Sequence, residues 1–135
     1  MIRIIQLLNE KNHFLEKFYS LNEAQILRLD KGEFEGLDQF YYQQEELLKV
    51  LKYVDGQIQK SHDSYQRISG VYELEHKKDV TEALKTKDLY IKKILEQDLL
   101  ILGLVDEIKT QIIKELHDIR RAKKAISGYG SSSVA

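Results

Sequence analysis

One apolar repeat runs without a break through the last part of the chain and limits the folds that this chain can adopt. From Thr81 to Ile126 the sequence contains no proline, and apolar residues recur at heptad spacing. The repeat consists of Leu84, Ile91, Ile94, Ile101, Val105, Ile108, Ile112, Ile119 and Ile126. Such a repeat is typical of a long helix that packs against other helices. We therefore predict one helix over residues 81–126.

The middle of this repeat is apolar on nearly every side. Residues 99–105 read Leu-Leu-Ile-Leu-Gly-Leu-Val. A helix that is apolar all round has to be covered from more than one side. We predict that other helices of the same chain provide most of this cover, so that the stretch is mainly core.

The composition favours long helices and excludes several kinds of chemistry. The 135 residues contain no proline, no cysteine and no tryptophan. Without cysteine, disulfides, thiolate zinc sites and cysteine nucleophiles are excluded. The formal net charge of −1 argues against a general nucleic-acid binder. No apolar run approaches the ~20 residues of a membrane span, so we expect a soluble, intracellular protein. The length of the chain predicts one helical domain, over residues 1–127.

Two further helices precede the long one. Amphipathic patterns predict them at about 2–29 and 33–75. Residues 30–33 (Asp-Lys-Gly-Glu) have the form of a sharp turn, in which Gly32 ends the first helix and the two acidic residues cap the second. Because this turn is short, the two helices are expected to be antiparallel neighbours.

Helix lengths set the predicted architecture. The third helix starts after a second turn near residues 76–80, and the glycines in the flexible tail at 128–135 end it. The predicted fold class is all-α: an antiparallel three-helix bundle of long helices with an extended two-helix coiled-coil arm, formed by residues 61–98. The pattern does not decide whether the second helix continues through Gly56 and Gly70.

Candidates for catalysis or metal binding are weak. Two Glu-x-x-His steps, Glu10/His13 and Glu73/His76, each resemble part of a di-iron site. The predicted alignment places them at opposite ends of the molecule, off the apolar seams. The basic residues around His117 are ordinary for the last turns of a helix, and no base is positioned near the terminal serines. We predict no metal, no cofactor and no enzymatic activity.

Three features taken together resemble a known family. The first helix is followed by Asp-Lys-Gly at 30–32, then by a charged run with paired leucines at 43–51 (Gln-Gln-Glu-Glu-Leu-Leu-Lys-Val-Leu). The long last helix ends in Ala-Ile-Ser-Gly-Tyr-Gly at 125–130. This order is similar to the flagellar export chaperones of the FlgN type. The resemblance implies a cytoplasmic, non-enzymatic chaperone of flagellar type III secretion.

The resemblance also implies partners and residues. Such chaperones bind the helical C-terminal segment of hook–filament junction proteins, prevent premature assembly and deliver these proteins to the export gate. The late third helix would hold the client, and Tyr129 would contact the export gate. The predicted partner-binding residues are Ile112, Ile113, Leu116, Ile119, Ile126 and Tyr129. Independently of the resemblance, an apolar stripe at this place is suited to an amphipathic partner helix.

A second interpretation remains open. The same stripe would serve a non-enzymatic coiled-coil adaptor or structural protein that associates with itself, for example as a homodimer, and holds no client. Eight tyrosines and four phenylalanines suit a docking surface in either case. Binding of a helical client at the last helix would favour the chaperone, whereas self-association through it would favour the adaptor.

Overall fold

Three long helices account for the described part of the chain. The computed structural model describes the backbone of residues 2–69 and 74–134 and the side chains of residues 2–65 and 76–128. The helices are α1 (Ile2–Asp30), α2 (Leu37–Ser69) and α3 (Leu74–Val134). Their 29, 33 and 61 residues correspond to lengths of about 44, 50 and 92 Å. The predicted all-α helical bundle is confirmed.

The turn after α1 closes with a Schellman motif. Gly32 adopts a left-handed conformation with φ of 77°. Its N–H donates to the carbonyl of Leu29 at 2.9 Å, and the N–H of Glu33 donates to the carbonyl of Arg28 at 3.0 Å. These two bonds satisfy carbonyls that the end of the helix would otherwise leave unpaired. The prediction that Gly32 ends the first helix is confirmed.

The second helix begins later than its predicted start at Glu33. Gly36 has a φ of 85°, and its carbonyl accepts the N–H of Phe40 at 2.9 Å. The first helical hydrogen bond of α2 therefore starts at Gly36. The predicted capping box at residues 30–33 is wrong, because the Schellman motif uses the backbone of Glu33 to finish α1.

The connection between α2 and α3 also differs from the predicted turn. Thr81, predicted to open the third helix, lies inside α3, and its hydroxyl donates to the carbonyl of Lys77 at 2.8 Å. The helix α2 is continuous through Gly56. Gly70 lies outside the described residues, as does the rest of the link at 70–73. At its other end, α3 runs to Val134, past the glycines that were predicted to end it.

The first and third helices run in parallel, and α2 is antiparallel to both. Ile4, near the start of α1, packs with Val80 near the start of α3. Leu29, at the end of α1, packs with Ile101. Among the described residues, α1 approaches both other helices closely, whereas no Cα atom of α2 comes within 8 Å of one in α3.

Three apolar clusters along α1 form the core. The buried members of the first are Ile4, Leu8, Val80 and Ala83. Those of the second are Leu15, Phe18, Leu51 and Ile94. Those of the third are Ile26, Leu29, Phe40 and Ile101. Burying apolar side chains is the main stabilising term for such a bundle, at roughly 25 cal/mol per Å².

A polar layer crosses the core between the second and third clusters. Asn22 is 0% exposed. Its amide nitrogen donates to Asp98 at 3.1 Å, and its oxygen accepts a hydrogen bond from Gln44 at 2.9 Å. One residue from each helix therefore meets at a single level. A polar group buried in this way is satisfied only in one alignment, which fixes the register of the three helices.

The predicted two-helix arm at residues 61–98 is not present. Within that range Val80, Ala83 and Ile94 are buried against α1. The prediction failed because α2 ends at Ser69 and α3 begins at Leu74, so that the start of α3 packs beside the start of α1. The part of α3 that leaves the bundle is instead its late part, where every side chain from 109 to 128 is exposed. We call residues 109–128 the extension.

Candidate protein-binding surface

The extension carries an apolar stripe that continues the pattern of the bundle. Ile112, Ile119 and Ile126 follow half-buried Val105 at seven-residue intervals. The helices α1 and α2 meet at a turn at this level, so no other described helix covers the stripe beyond it. Leu116, with 48% exposure, fills the interval between Ile112 and Ile119. The extension therefore presents a helix face of the kind that packs against another helix.

An apolar notch lies where the extension leaves the bundle. It encloses about 300 Å³. Its lining consists of Phe34, Leu37, Val105, Ile108, Lys109, Ile112 and Ile113. Phe34 stands between Gly32 and Gly36, and both of these glycines have positive φ. The tight backbone of this turn thus holds an exposed aromatic ring beside the first residues of the stripe.

Basic residues accompany the stripe. The extension contains six lysines and arginines and two acidic residues, whereas the rest of the chain contains 15 and 20. A shallow groove on the extension is lined by His117, Arg120, Arg121, Lys123, Lys124 and Ser127. An acidic partner would gain from this excess of positive charge, both in its rate of association and in its orientation.

The residues predicted to bind a partner fall into two groups. Ile112, Ile113, Leu116, Ile119 and Ile126 are all exposed on the extension. The side chain of Tyr129 lies outside the described side chains. Their role in binding stays a prediction. Sequence reasoning missed the notch, although an aromatic residue between two glycines was a signal for it.

The apolar stretch at residues 99–105 is mostly not core, contrary to the prediction. Ile101 is 2% exposed, but Leu99 and Leu102 are 71% and 56% exposed. Leu100 is half exposed as well. At about 100° per residue, Leu100 and Leu102 lie on either side of Ile101 and Leu99 lies nearly opposite it, so the packing of Ile101 against α1 leaves all three uncovered. A second apolar surface therefore lies within the bundle.

The described members of the two Glu-x-x-His steps are not gathered into a metal site. Glu10 and His13 are exposed, and Glu73 lies outside the described residues. The prediction that the two steps lie at opposite ends is wrong, because α1 and α3 start at the same end of the bundle. Within residues 2–69 and 74–134, no group of three or more His, Cys, Asp or Glu side chains is placed to hold a metal ion.

Two further results complete the description. No helix in the described ranges combines the length and apolarity that crossing a membrane requires. Comparisons of the chain with protein-family models, with curated proteins and with solved structures find no match.

Proposed function

We propose that this protein is a chaperone of flagellar type III export, which holds an amphipathic helical segment of a client protein on the extension. The client class, by the FlgN-type resemblance, is a hook–filament junction protein bound through its C-terminal helix. The chaperone acts in the cytoplasm, keeps the client from assembling early and delivers it to the export gate. It has no catalytic role.

The observation that carries this proposal is the exposed stripe from Ile112 to Ile126. These side chains repeat at the spacing used in helix–helix packing, and nothing else in the described structure covers them. A partner helix laid along the stripe would remove apolar surface from water, at roughly 25 cal/mol per Å². Binding of this kind requires no reactive group, which fits a chain without a metal-binding cluster in its described residues.

The notch and the charges suggest how a client helix is placed. One end of the client would pack an apolar side chain between Phe34 and Ile112, against the turn of the bundle. Acidic residues beside the client's apolar stripe would lie near Arg120 and Lys124. An amphipathic helix with an acidic flank is therefore the expected client segment.

The binding proposal is tested with Leu116→Asp. A labelled peptide from the C-terminal helix of the hook–filament junction protein encoded in the same genome is titrated with the protein, and its fluorescence anisotropy is measured. We expect at least a tenfold loss of affinity, about 1.4 kcal/mol, because the aspartate places a charge inside the helix–helix contact. Since Leu116 touches no core cluster, the fold should be unchanged.

Leu89→Asp is the matched control. Leu89 is also an exposed leucine of α3, but it lies in the bundle part, away from the extension. Its substitution should leave the affinity unchanged. If the unmodified protein does not bind this peptide, or if both variants bind as tightly as the unmodified protein, the chaperone proposal is wrong.

The contact with the export gate is a separate part of the proposal. Tyr129 follows the client-binding residues closely in the sequence. Tyr129→Ala should leave the anisotropy titration unchanged but reduce secretion of the client, measured in the culture medium. An equal loss of client binding would place Tyr129 in the client site and remove its assigned role.

A further inference from the structure

The bundle part of α3 has an exposed apolar surface of its own. Asp98 lies on the side of α3 that faces α2, because Gln44 donates to it at 3.4 Å. Leu95 and Leu102, about one turn before and after Asp98, are 59% and 56% exposed. Asn22 of α1 donates to Asp98 as well, so Leu95 and Leu102 lie at the edge of the contact with α1, on the side toward α2.

Tyr41 and Leu48 border the same surface from α2. They lie three residues before and four residues after Gln44, so they stand about one helical turn on either side of it. Both side chains are exposed. Four apolar side chains, two from each helix, therefore surround the contact between Gln44 and Asp98. A contiguous exposed apolar surface of this kind marks an interaction site.

This surface and the apolar stripe of the extension join into one longer stripe along α3. Three- and four-residue steps connect its members over about 63 Å of helix. The longer stripe consists of Leu84, Asp88, Ile91, Leu95, Asp98, Leu102, Val105, Lys109, Ile112, Leu116, Ile119, Lys123 and Ile126. All of them are exposed except Asp98 and Val105, which are half-buried.

The charged members of the longer stripe make it complementary to itself. The first half is interrupted by two acidic residues, Asp88 and Asp98, and the second half by two basic residues, Lys109 and Lys123. A second copy running in the opposite direction would bring each acidic half against a basic half. A parallel copy would bring like charges together, which opposes association.

We propose that a second copy of this chain binds the longer stripe as an antiparallel partner, with a two-fold axis near Gly103. In an antiparallel pair, residues from alternate seam positions face each other. The register that brings Asp98 opposite Lys109 of the second copy also brings Leu95 opposite Ile112 and Leu102 opposite Val105. Each contact occurs twice, as the symmetry of such a pair requires.

This inference goes beyond the proposed function, since it needs no client. The two share the extension, so a client helix and the second copy would compete for Ile112 to Ile126. The surface around Leu95 and Leu102 takes part only in binding the second copy. Variants there separate the two proposals.

Cysteine cross-linking tests the direction and the register. The natural chain has no cysteine, so Leu95→Cys and Ile112→Cys each introduce a single thiol. Within one α3 these positions are about 26 Å apart, too far for a disulfide. A mixture of the two variants should form cross-linked dimers under mild oxidation, whereas each variant alone should stay uncross-linked. Cross-linking of either variant with itself, or none in the mixture, would contradict the register.

Light scattering tests the same surface with variants that carry no cysteine. The unmodified protein should have the mass of a dimer, and Leu102→Lys should halve it. The control Leu89→Lys changes an exposed leucine off the longer stripe and should keep the dimer mass. A monomeric unmodified protein, or a dimer that survives Leu102→Lys, would overturn the proposal.

Leu102→Lys also distinguishes a failure of the antiparallel pair from a failure of the chaperone proposal. Leu102→Lys leaves the extension intact, so it should bind the client peptide at least as tightly as the unmodified protein does. A dimer without client binding would support only the pair, and client binding by a protein that is always monomeric would support only the chaperone.

Discussion

At the scale of single residues, the polar layer at Asn22, Gln44 and Asp98 is the most informative feature of the core. Burial raises the pKa of Asp98, and the hydrogen bonds from Asn22 and Gln44 act in the opposite direction. The carboxylate therefore helps to fix the helix register while it loses hydration. Polar groups of this kind favour one arrangement of helices at some cost in stability.

The pKa of Asp98 leads to a prediction about pH. Because this pKa is raised above its ordinary value of 3.8, the folded protein binds a proton more readily than the unfolded chain does. The stability that the protonated group contributes is present below 3.8 and is lost as pH rises through the folded pKa. Asp98→Asn removes the titration but keeps an oxygen that accepts both hydrogen bonds.

The measurement is the free energy of unfolding by urea at a series of pH values, in chains that stop after Ile108, so that no Lys109 of a second copy can pair with Asp98. The advantage of Asp98→Asn over the shortened chain with Asp98 should grow as pH rises from 3.8 through the folded pKa, and then level off. A difference that is independent of pH, or one that shrinks over this interval, would contradict the role given to burial.

At the scale of the elements, the backbone conformations of Gly32 and Gly56 predict opposite effects of replacing each by alanine. Gly32 has a positive φ, so Gly32→Ala should destabilise the protein by about 1–2 kcal/mol. Gly56 lies inside α2, and a Cβ there would meet nothing within 4 Å. Gly56→Ala should therefore stabilise the protein by about 0.5–1 kcal/mol.

Urea denaturation of the two variants checks this pair of predictions. Each chain loses one glycine and gains one methyl group, so changes in the unfolded chain largely cancel between them. If the two substitutions shifted the unfolding midpoint in the same direction, the assignment of Gly32 to the end of α1 would be wrong.

The sequence predicts the core residues of α1 better than it predicts the position of the link between α2 and α3. Periodicity predicts the core residues of α1 well, because Leu8, Leu15 and Leu29 repeat at helical spacing and are all buried. It does not locate the link between α2 and α3, since the three- and four-residue steps continue through residues 70–75. Placing the link too late put Val80 in an arm instead of the core.

The sequence also predicts only part of the candidate site. The exposed isoleucines of the extension follow from the seam pattern of α3. The exposure of Leu99 and Leu102 does not, because it depends on which sides of α3 the other two helices cover. That arrangement is set by the side chains of three helices together, and no pattern within one helix reports it.

At the scale of the whole molecule, the bundle and the extension are separable. The core clusters end at Ile108, and the side chains beyond it are exposed. A chain that stops after Ile108 should therefore unfold at nearly the same urea midpoint as the monomeric full-length variant Leu102→Lys, because it keeps all three buried clusters. Its helical circular dichroism should fall in proportion to the residues removed.

Binding measurements on the shortened chain complete this prediction. It should bind neither the client peptide nor a second copy, since both need the extension. A large drop in the urea midpoint would show that the extension supports the bundle, and the two parts would then have to be treated as one unit.

The parallel course of α1 and α3 also determines where this protein tolerates attachments. The start of α1 and the notch beside Phe34 lie at opposite ends of the bundle, separated by the length of α1, about 44 Å. A fluorescent domain, an affinity tag or a sensor surface joined to the start of the chain would stand clear of the extension of the same chain. The same attachment at the other terminus would crowd the face that we expect to hold a partner.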